Sequence, residues 1–209
     1  MKLYYSPGAC SLAPHIALRE SLLPFIAEKV DLRTHKLADG TDYYRINPKG
    51  YVPLLELDDG SRLSEVAVIL QYIADRKPGT LAPAFGSMPR YRVMEWLNFI
   101  ATELHKQFSP LFYATTPDAT KEAQRARLAT RFAFLAETLA GQPYLTGAAF
   151  TIADAYLFTI LNWSDNLKVD LPPALGEFKA RVAARPAVQA ALKAEGLVKE
   201  ERKPAAATA

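Results

Sequence analysis

The strongest constraint on this chain's fold is a change of pattern about a third of the way along. Up to residue 76, strand and helix signals alternate; beyond residue 89 they are almost wholly helical. Between the two, Lys77 to Pro89 carries Pro78, Gly79, Pro83, Gly86 and Pro89, residues that interrupt both helix and strand. The pattern predicts an α/β unit over 1–77, a linker over 78–89, an all-helical unit over 90–196 and a tail over 197–209. A chain of 209 residues is long enough to fill both units.

Within the first unit, Leu3-Tyr4-Tyr5 reads as a strand and Ser11 to Ser21 as a helix. Pro14 falls in the first turn of that helix, where its missing N–H costs little. Phe25 to Asp31 reads as a second strand. Leu32 to Gly50 is polar and irregular, closing in the turn Asn47-Pro48-Lys49-Gly50. Val52 to Leu57 and Arg62-Leu63 flank Asp58-Asp59-Gly60-Ser61, a hairpin signal. Ser64 reads as the N-cap of a helix through Arg76. The order βαβ, connection, ββα predicts a small mixed sheet with helices packed on it.

In the second unit, Val93, Leu97, Ile100, Leu104 and Phe108 form one apolar face of a long helix beginning near Pro89. A helix over Glu122 to Ala140 follows. Thr151-Ile152-Ala153-Asp154 has the form of a capping box, with Asp where Glu or Gln is usual, and starts a helix from Asp154 to Asn166. Shorter helices run to Ala194. Lys199 to Ala209 has too little apolar surface to pack firmly.

Composition narrows the function classes. A net charge of +3 without a Lys/Arg block argues against nucleic acid. No apolar run reaches the roughly 18 residues of a membrane span, and the N-terminus does not read as a secretory leader. The single cysteine excludes an intrachain disulfide framework and fits a reducing cytoplasm. His15, His35 and His105 are scattered without partners at ligand spacing, so no metal site is expected.

Four features carry possible chemistry, each beside a plainer reading. Cys10 sits at a strand-to-helix turn, where free N–H groups and the helix dipole favour thiolate and lower the thiol pKa. A Cys-x-x-Cys pair would need cysteine at Ala13, so its natural partner is an outside thiol. The plainer reading is a small buried hydrophobe. Val52 precedes Pro53 and is therefore extended, which leaves its N–H and C=O free to pair with a peptide-like ligand; the plainer reading is a strand-entry proline. Ser64-Glu65-Val66 opens a helix, offering N–H groups to an anion and a carboxylate to an ammonium, or else a simple cap. Glu95, Asn98, Thr102, His105 and Ser109, with Lys106 beside them, form a polar stripe that marks either a solvated face or a cleft.

Taken together, these segments resemble bacterial glutathione S-transferases of the beta class. The resemblance rests on Tyr5-Ser6-Pro7-Gly8-Ala9-Cys10-Ser11, Asn47-Pro48-Lys49-Gly50-Tyr51-Val52-Pro53, Ser64-Glu65, the run from Trp96 to Lys106 and the run from Phe150 to Tyr156. It extends from Met1 to about Gly196. It implies a thioredoxin-like N-terminal domain, an all-α C-terminal domain and a cytoplasmic homodimer acting in detoxification. The implied reaction joins the thiol of glutathione, as co-substrate, to a hydrophobic electrophile without a metal. Thiol–disulfide exchange through Cys10 is a second implied activity.

The resemblance places Cys10 and His105 at the sulfur, Val52 against the cysteinyl unit with Pro53 cis, and Glu65 with the N–H of Val66 at the γ-glutamyl end. Asn98 and Thr102 would approach glutathione with His105, and Lys106 would line the same cleft. Two positions depart from the pattern. His35 stands where the family often has a lysine for the glycyl carboxylate, with Lys36 adjacent. Val66 offers only its N–H where many relatives carry a small or hydroxylated residue. The electrophile wall would include Tyr113 and Trp163. The rival readings are a non-catalytic binding protein of the same fold and a dedicated glutathione-dependent dehalogenase or ring-cleaving lyase.

Overall fold

The structure, a computed structural model, describes residues 1–198. A five-stranded sheet has the order β3-β2-β1-β4-β5, built from β1 (Lys2–Tyr5), β2 (Ile26–Asp31), β3 (Lys36–Leu37), β4 (Leu54–Glu56) and β5 (Arg62–Ser64). β1 runs parallel to β2 and antiparallel to β4; β2–β3 and β4–β5 are antiparallel. α1 (Leu12–Ser21) connects the parallel pair, and α2 (Val66–Arg76) follows the hairpin. This is the thioredoxin-like arrangement that the alternating signals predict.

Strand alternation divides the β1 side chains between two cores. Leu3 and Tyr5 enter the main core with α1 and α2. Tyr4 points the other way and joins Val30, Tyr43, Val52 and Leu54 in a smaller core. That second core underlies the segment ahead of Pro53. A short 3₁₀ turn at Tyr43–Arg45 lies inside the stretch expected to be irregular. Through it the Tyr43 hydroxyl donates to the Tyr51 carbonyl at 2.8 Å, and Asn47 Nδ2 donates to the same oxygen at 2.7 Å.

The helical unit opens with α3 (Met88–Phe99), capped by Ser87. The helix continues as a π-helical turn at Ile100–His105, then α4 (Lys106–Phe108) and a 3₁₀ turn at Ser109–Phe112. Val93, Leu97, Ile100, Leu104 and Phe108 are all buried, as their spacing predicts. α5 (Asp118–Leu139), α6 (Ile152–Leu161), α7 (Ser164–Leu167), α8 (Pro173–Ala183) and α9 (Pro186–Ala194) complete it.

The expected helix from Asp154 to Asn166 is two helices, α6 and α7. The capping box is present: Thr151 accepts from the Ala153 N–H, and the buried Asp154 accepts from the Thr151 N–H. Asp154 also holds the Leu145 N–H at 2.8 Å. Every residue of α6 is buried, which makes it the central post of the unit.

The two units share one core. α1 packs against α2, α6 and α9, and Arg185 clamps Glu20 through two hydrogen bonds of 2.6 and 2.9 Å. At the end of α9, Gly196 (φ +71) takes the left-handed turn, and the Leu197 N–H returns to the Leu192 carbonyl at 2.9 Å. That is a Schellman motif, which glycine accommodates without a Cβ clash. Val198 packs on the main core; the rest of the expected loose tail, 199–209, lies outside the described residues. Among the described residues, no helix is long and apolar enough to cross a membrane.

Candidate active site

A cleft of about 920 Å³ opens between the sheet unit and the helical unit, with Cys10, Val52, Glu65, Lys106 and Trp163 among its lining residues. Cys10 comes from the turn between β1 and α1. Its Sγ lies 3.2 Å from the Val52 carbonyl, to which the thiol donates. Burial pushes the thiol up to about 12, against the local backbone N–H groups and Lys106, which pull it down. The expected depressed thiol pKa is therefore corrected: the helix start acts as expected, but desolvation outweighs it.

The Val52–Pro53 peptide is cis. The Val52 carbonyl is engaged by Cys10, while its N–H has no hydrogen-bond partner among the described residues. The sequence reading leaves both groups free; the structure leaves one. Gly50, two residues earlier, has φ +68, and a Cβ there would lie 2.6 Å from the Tyr44 ring. The chain can pass that ring only as glycine.

Across the cleft, Ser64 ends β5 and does not cap α2. The N-cap is Glu65, at φ +73 and without a side-chain cap bond. A non-glycine residue in that region costs of order 1–3 kcal/mol and is found chiefly at functional sites. Its carboxylate pairs with Lys49 Nζ at 3.1 Å, and the same ammonium reaches Ser64 Oγ at 3.1 Å. Both partners are largely exposed, so the pair is easily exchanged for another cation. Val66, the first residue of α2, also lines the cleft.

His105 and Lys106 enter from the helical side. His105 Nδ1 lies 2.7 Å from the Tyr156 hydroxyl. Burial, then Lys106, push the imidazole down to about 4, so it is neutral at pH 7. Ala9, Ala101, Phe112, Tyr113 and Trp163 form an apolar wall, and the Phe112 and Trp163 rings meet edge-on at 5.1 Å.

Asn98 and Thr102 are not in this cleft. Both are exposed, and Thr102 Oγ1 donates to the Asn98 carbonyl at 3.0 Å. The stripe that joins them to His105 assumes α-helical spacing throughout. The π turn at Ile100–His105 puts more residues in each turn and rotates His105 away from that line. His35 does line the cleft, at φ +51 with its ring 4.5 Å from that of Tyr44. Its Nδ1 is buried and has no partner among the described residues. Lys36 lies in β3 and is not part of the lining.

Sequence reasoning missed three contributors. Lys49 lies in a turn motif that says nothing of its reach to Glu65. Tyr156 reads as one more core aromatic. Glu195 reads as an ordinary polar helix end, yet its side chain is fully buried. It accepts from the Gly8 N–H at 2.9 Å and bonds His15 Nδ1 at 2.8 Å. Trp163 Nε1 donates to the Gly8 carbonyl at 2.8 Å. Both backbone groups of Gly8, two residues before Cys10, are thus held from the helical unit. Only the Gly196-Leu197 stop signal hints at this docking. Among the described residues, no group of three or more His, Cys, Asp or Glu side chains could hold a metal ion.

Comparison with known proteins agrees with this arrangement. Residues 8–76 match the family model for the glutathione S-transferase N-terminal domain, and residues 99–186 match that for the C-terminal domain. The chain is 50% identical over 201 residues to glutathione S-transferase GstA of Escherichia coli O157:H7, covering 94% of this chain and all of that one. Among solved structures, a ternary complex of the bacterial transferase BphK superposes with a TM-score of 0.92 at 55% identity, covering 94% of this chain and 100% of that one. A sphingomonad glutathione S-transferase complexed with glutathione gives a TM-score of 0.91 at 49% identity, covering 95% and 100%. A strand-to-helix cysteine, a cis-proline loop, a helix start with a displaced Glu and an apolar helical wall meet at one cleft, in a chain that matches these proteins nearly end to end: it belongs to the glutathione S-transferase family.

Proposed function

We propose that this cleft binds reduced glutathione and activates its thiol for attack on hydrophobic electrophiles, as a cytoplasmic beta-class enzyme of detoxification. The observation that carries the reading is the convergence of a Val52 N–H unpaired among the described residues, the α2 start at Glu65–Val66 and Cys10 on one cleft with an apolar wall. The γ-glutamyl ammonium takes Lys49's place on Glu65. The neighbouring carboxylate meets the N–H of Val66 and the positive end of α2. Val52 pairs through its N–H with the cysteinyl unit, which sets the ligand sulfur opposite Cys10. His35 and Lys106 supply donors toward the remaining carboxylate.

In the reaction the thiol proton leaves to solvent, and the thiolate sulfur forms a bond to an electrophilic carbon held against Phe112, Tyr113 and Trp163. A leaving group departs, or a strained ring opens. Cys10, kept protonated by burial, acts as an S–H donor by turning its hydrogen from the Val52 carbonyl to the ligand sulfur. Its exchange with oxidised glutathione is a slower second activity, because exchange runs through the thiolate.

We also propose that residues 1–77 supply the glutathione half and residues 90–196 the electrophile half, joined by 78–89, and that two chains form a homodimer. Calorimetry with reduced glutathione tests the binding reading: saturable binding is expected, weakened in Glu65→Ala by about 1.5–3 kcal/mol, the worth of hydrogen bonds to charged groups. No binding at millimolar ligand would remove it.

A further inference from the structure

The hydrogen bond between His105 and Tyr156 has a direction that decides what His105 can do. Tyr156 is 2% exposed, in the middle of α6. Among the described residues its hydroxyl has one partner, His105 Nδ1, at 2.7 Å. If Nδ1 carried the proton and donated, the phenolic hydrogen would have no acceptor among the described residues and could turn only toward the cleft, which Tyr156 also lines. If the phenol donates, both groups are satisfied, and buried hydroxyls are rarely left with an unpaired hydrogen.

The Nδ1 lone pair is then occupied, and the imidazole proton resides on Nε2. We infer that Tyr156 is a positioning residue: its O–H fixes His105 as the Nε2–H tautomer, so that His105 serves the cleft as a neutral hydrogen-bond donor to a sulfur anion and not as the base that removes the thiol proton.

Two further features agree with this assignment. Burial, with lesser contributions from Cys10 and Glu65, raises the phenol's pKa, so Tyr156 remains a donor. The His105 ring is also wedged, with Trp163 at 5.0 Å and the Tyr156 ring perpendicular to it, which restrains a ring flip. The Thr151–Asp154 capping box gains a role at the site, because it sets the start of the helix that carries Tyr156. A donor fixed before the reaction needs no reorganisation as sulfur charge develops.

The inference rests on the proposed glutathione site, but its first test does not need the ligand. Long-range ¹⁵N NMR of the imidazole rings at neutral pH, assigned with His105→Gln, reads the tautomer in the free enzyme. The Nε2–H pattern is expected for His105; an Nδ1–H pattern overturns the inference whether or not glutathione binds. Tyr156→Phe should then give a mixed tautomer signal and a kcat about tenfold lower, the loss of one charge-assisted hydrogen bond in the transition state. The KM for glutathione should stay within about twofold, because the binding contacts are elsewhere. An unchanged tautomer with unchanged kcat in Tyr156→Phe overturns it equally. If that variant does not fold, the wild-type spectrum alone decides.

Discussion

Glu195→Ala is expected to be among the most damaging single substitutions in this chain, though Glu195 lies 187 residues from the loop it holds. The His15 and Glu195 side chains are both fully buried. Arg19 Nε can only donate, and it does so to His15 Nε2 at 3.0 Å. His15 Nδ1 therefore carries the hydrogen that meets Glu195 Oε1. Removing the carboxylate strands a buried donor, the His15 Nδ1–H, and the half-buried Gly8 N–H. At about 1–3 kcal/mol for each unsatisfied group the loss is about 2–6 kcal/mol. That is a large share of the about 5–15 kcal/mol typical of a folded domain.

Glu195→Gln keeps one carbonyl acceptor and should lose about half as much. Urea unfolding followed by far-ultraviolet circular dichroism, at one fixed protein concentration, measures both. Where Glu195→Ala still folds, its KM for glutathione should rise, because Gly8 anchors the turn that carries Cys10. A loss below about 1 kcal/mol would refute the reasoning, since it would mean that water or a local shift satisfies both donors.

Three other outcomes follow from the site. Alkylation of Cys10 by iodoacetamide should accelerate about tenfold per pH unit from about pH 7 to 10 without levelling, because only the thiolate reacts; a plateau below about pH 8 would restore the depressed pKa expected from the helix start. His105 falls from 6.5 to about 4 on folding, so between those values the unfolded chain binds the extra proton and stability drops as pH falls. This contribution, up to about 3 kcal/mol, should appear as a steeper acid loss in wild type than in His105→Gln; parallel curves would contradict it. Sedimentation at micromolar concentration should give a single species near twice the 23.1 kDa chain mass, and a monomer that still turns over glutathione would remove the dimer proposal.

The legible parts of this molecule are those fixed by local pattern. Residues at helical spacing, from Val93 to Phe108, are buried as their periodicity requires. The Thr151–Asp154 box caps its helix, and the Asp58–Ser61 turn joins two paired strands. What could not be read depends on distant chain segments. The Cys10 pKa is set by desolvation in the folded chain, which outweighs the local dipole. Glu65's left-handed backbone reflects the demands of the β5–α2 junction, for which the residue type gives no warning. The π turn changes hydrogen-bond register without changing the apolar pattern, so Asn98 and Thr102 seemed to share a stripe with His105.

The central claim, that this cleft activates the thiol of glutathione, is tested most directly by titrating that thiol in place. Cys10 is the chain's only cysteine, so in Cys10→Ala saturated with glutathione the ultraviolet thiolate band belongs to the ligand alone. Ionisation is expected at least one pH unit below the roughly 8.5 of a free cysteine thiol, with the His105 Nε2–H donating to the anion. A bound thiol that ionises at its solution value would contradict it.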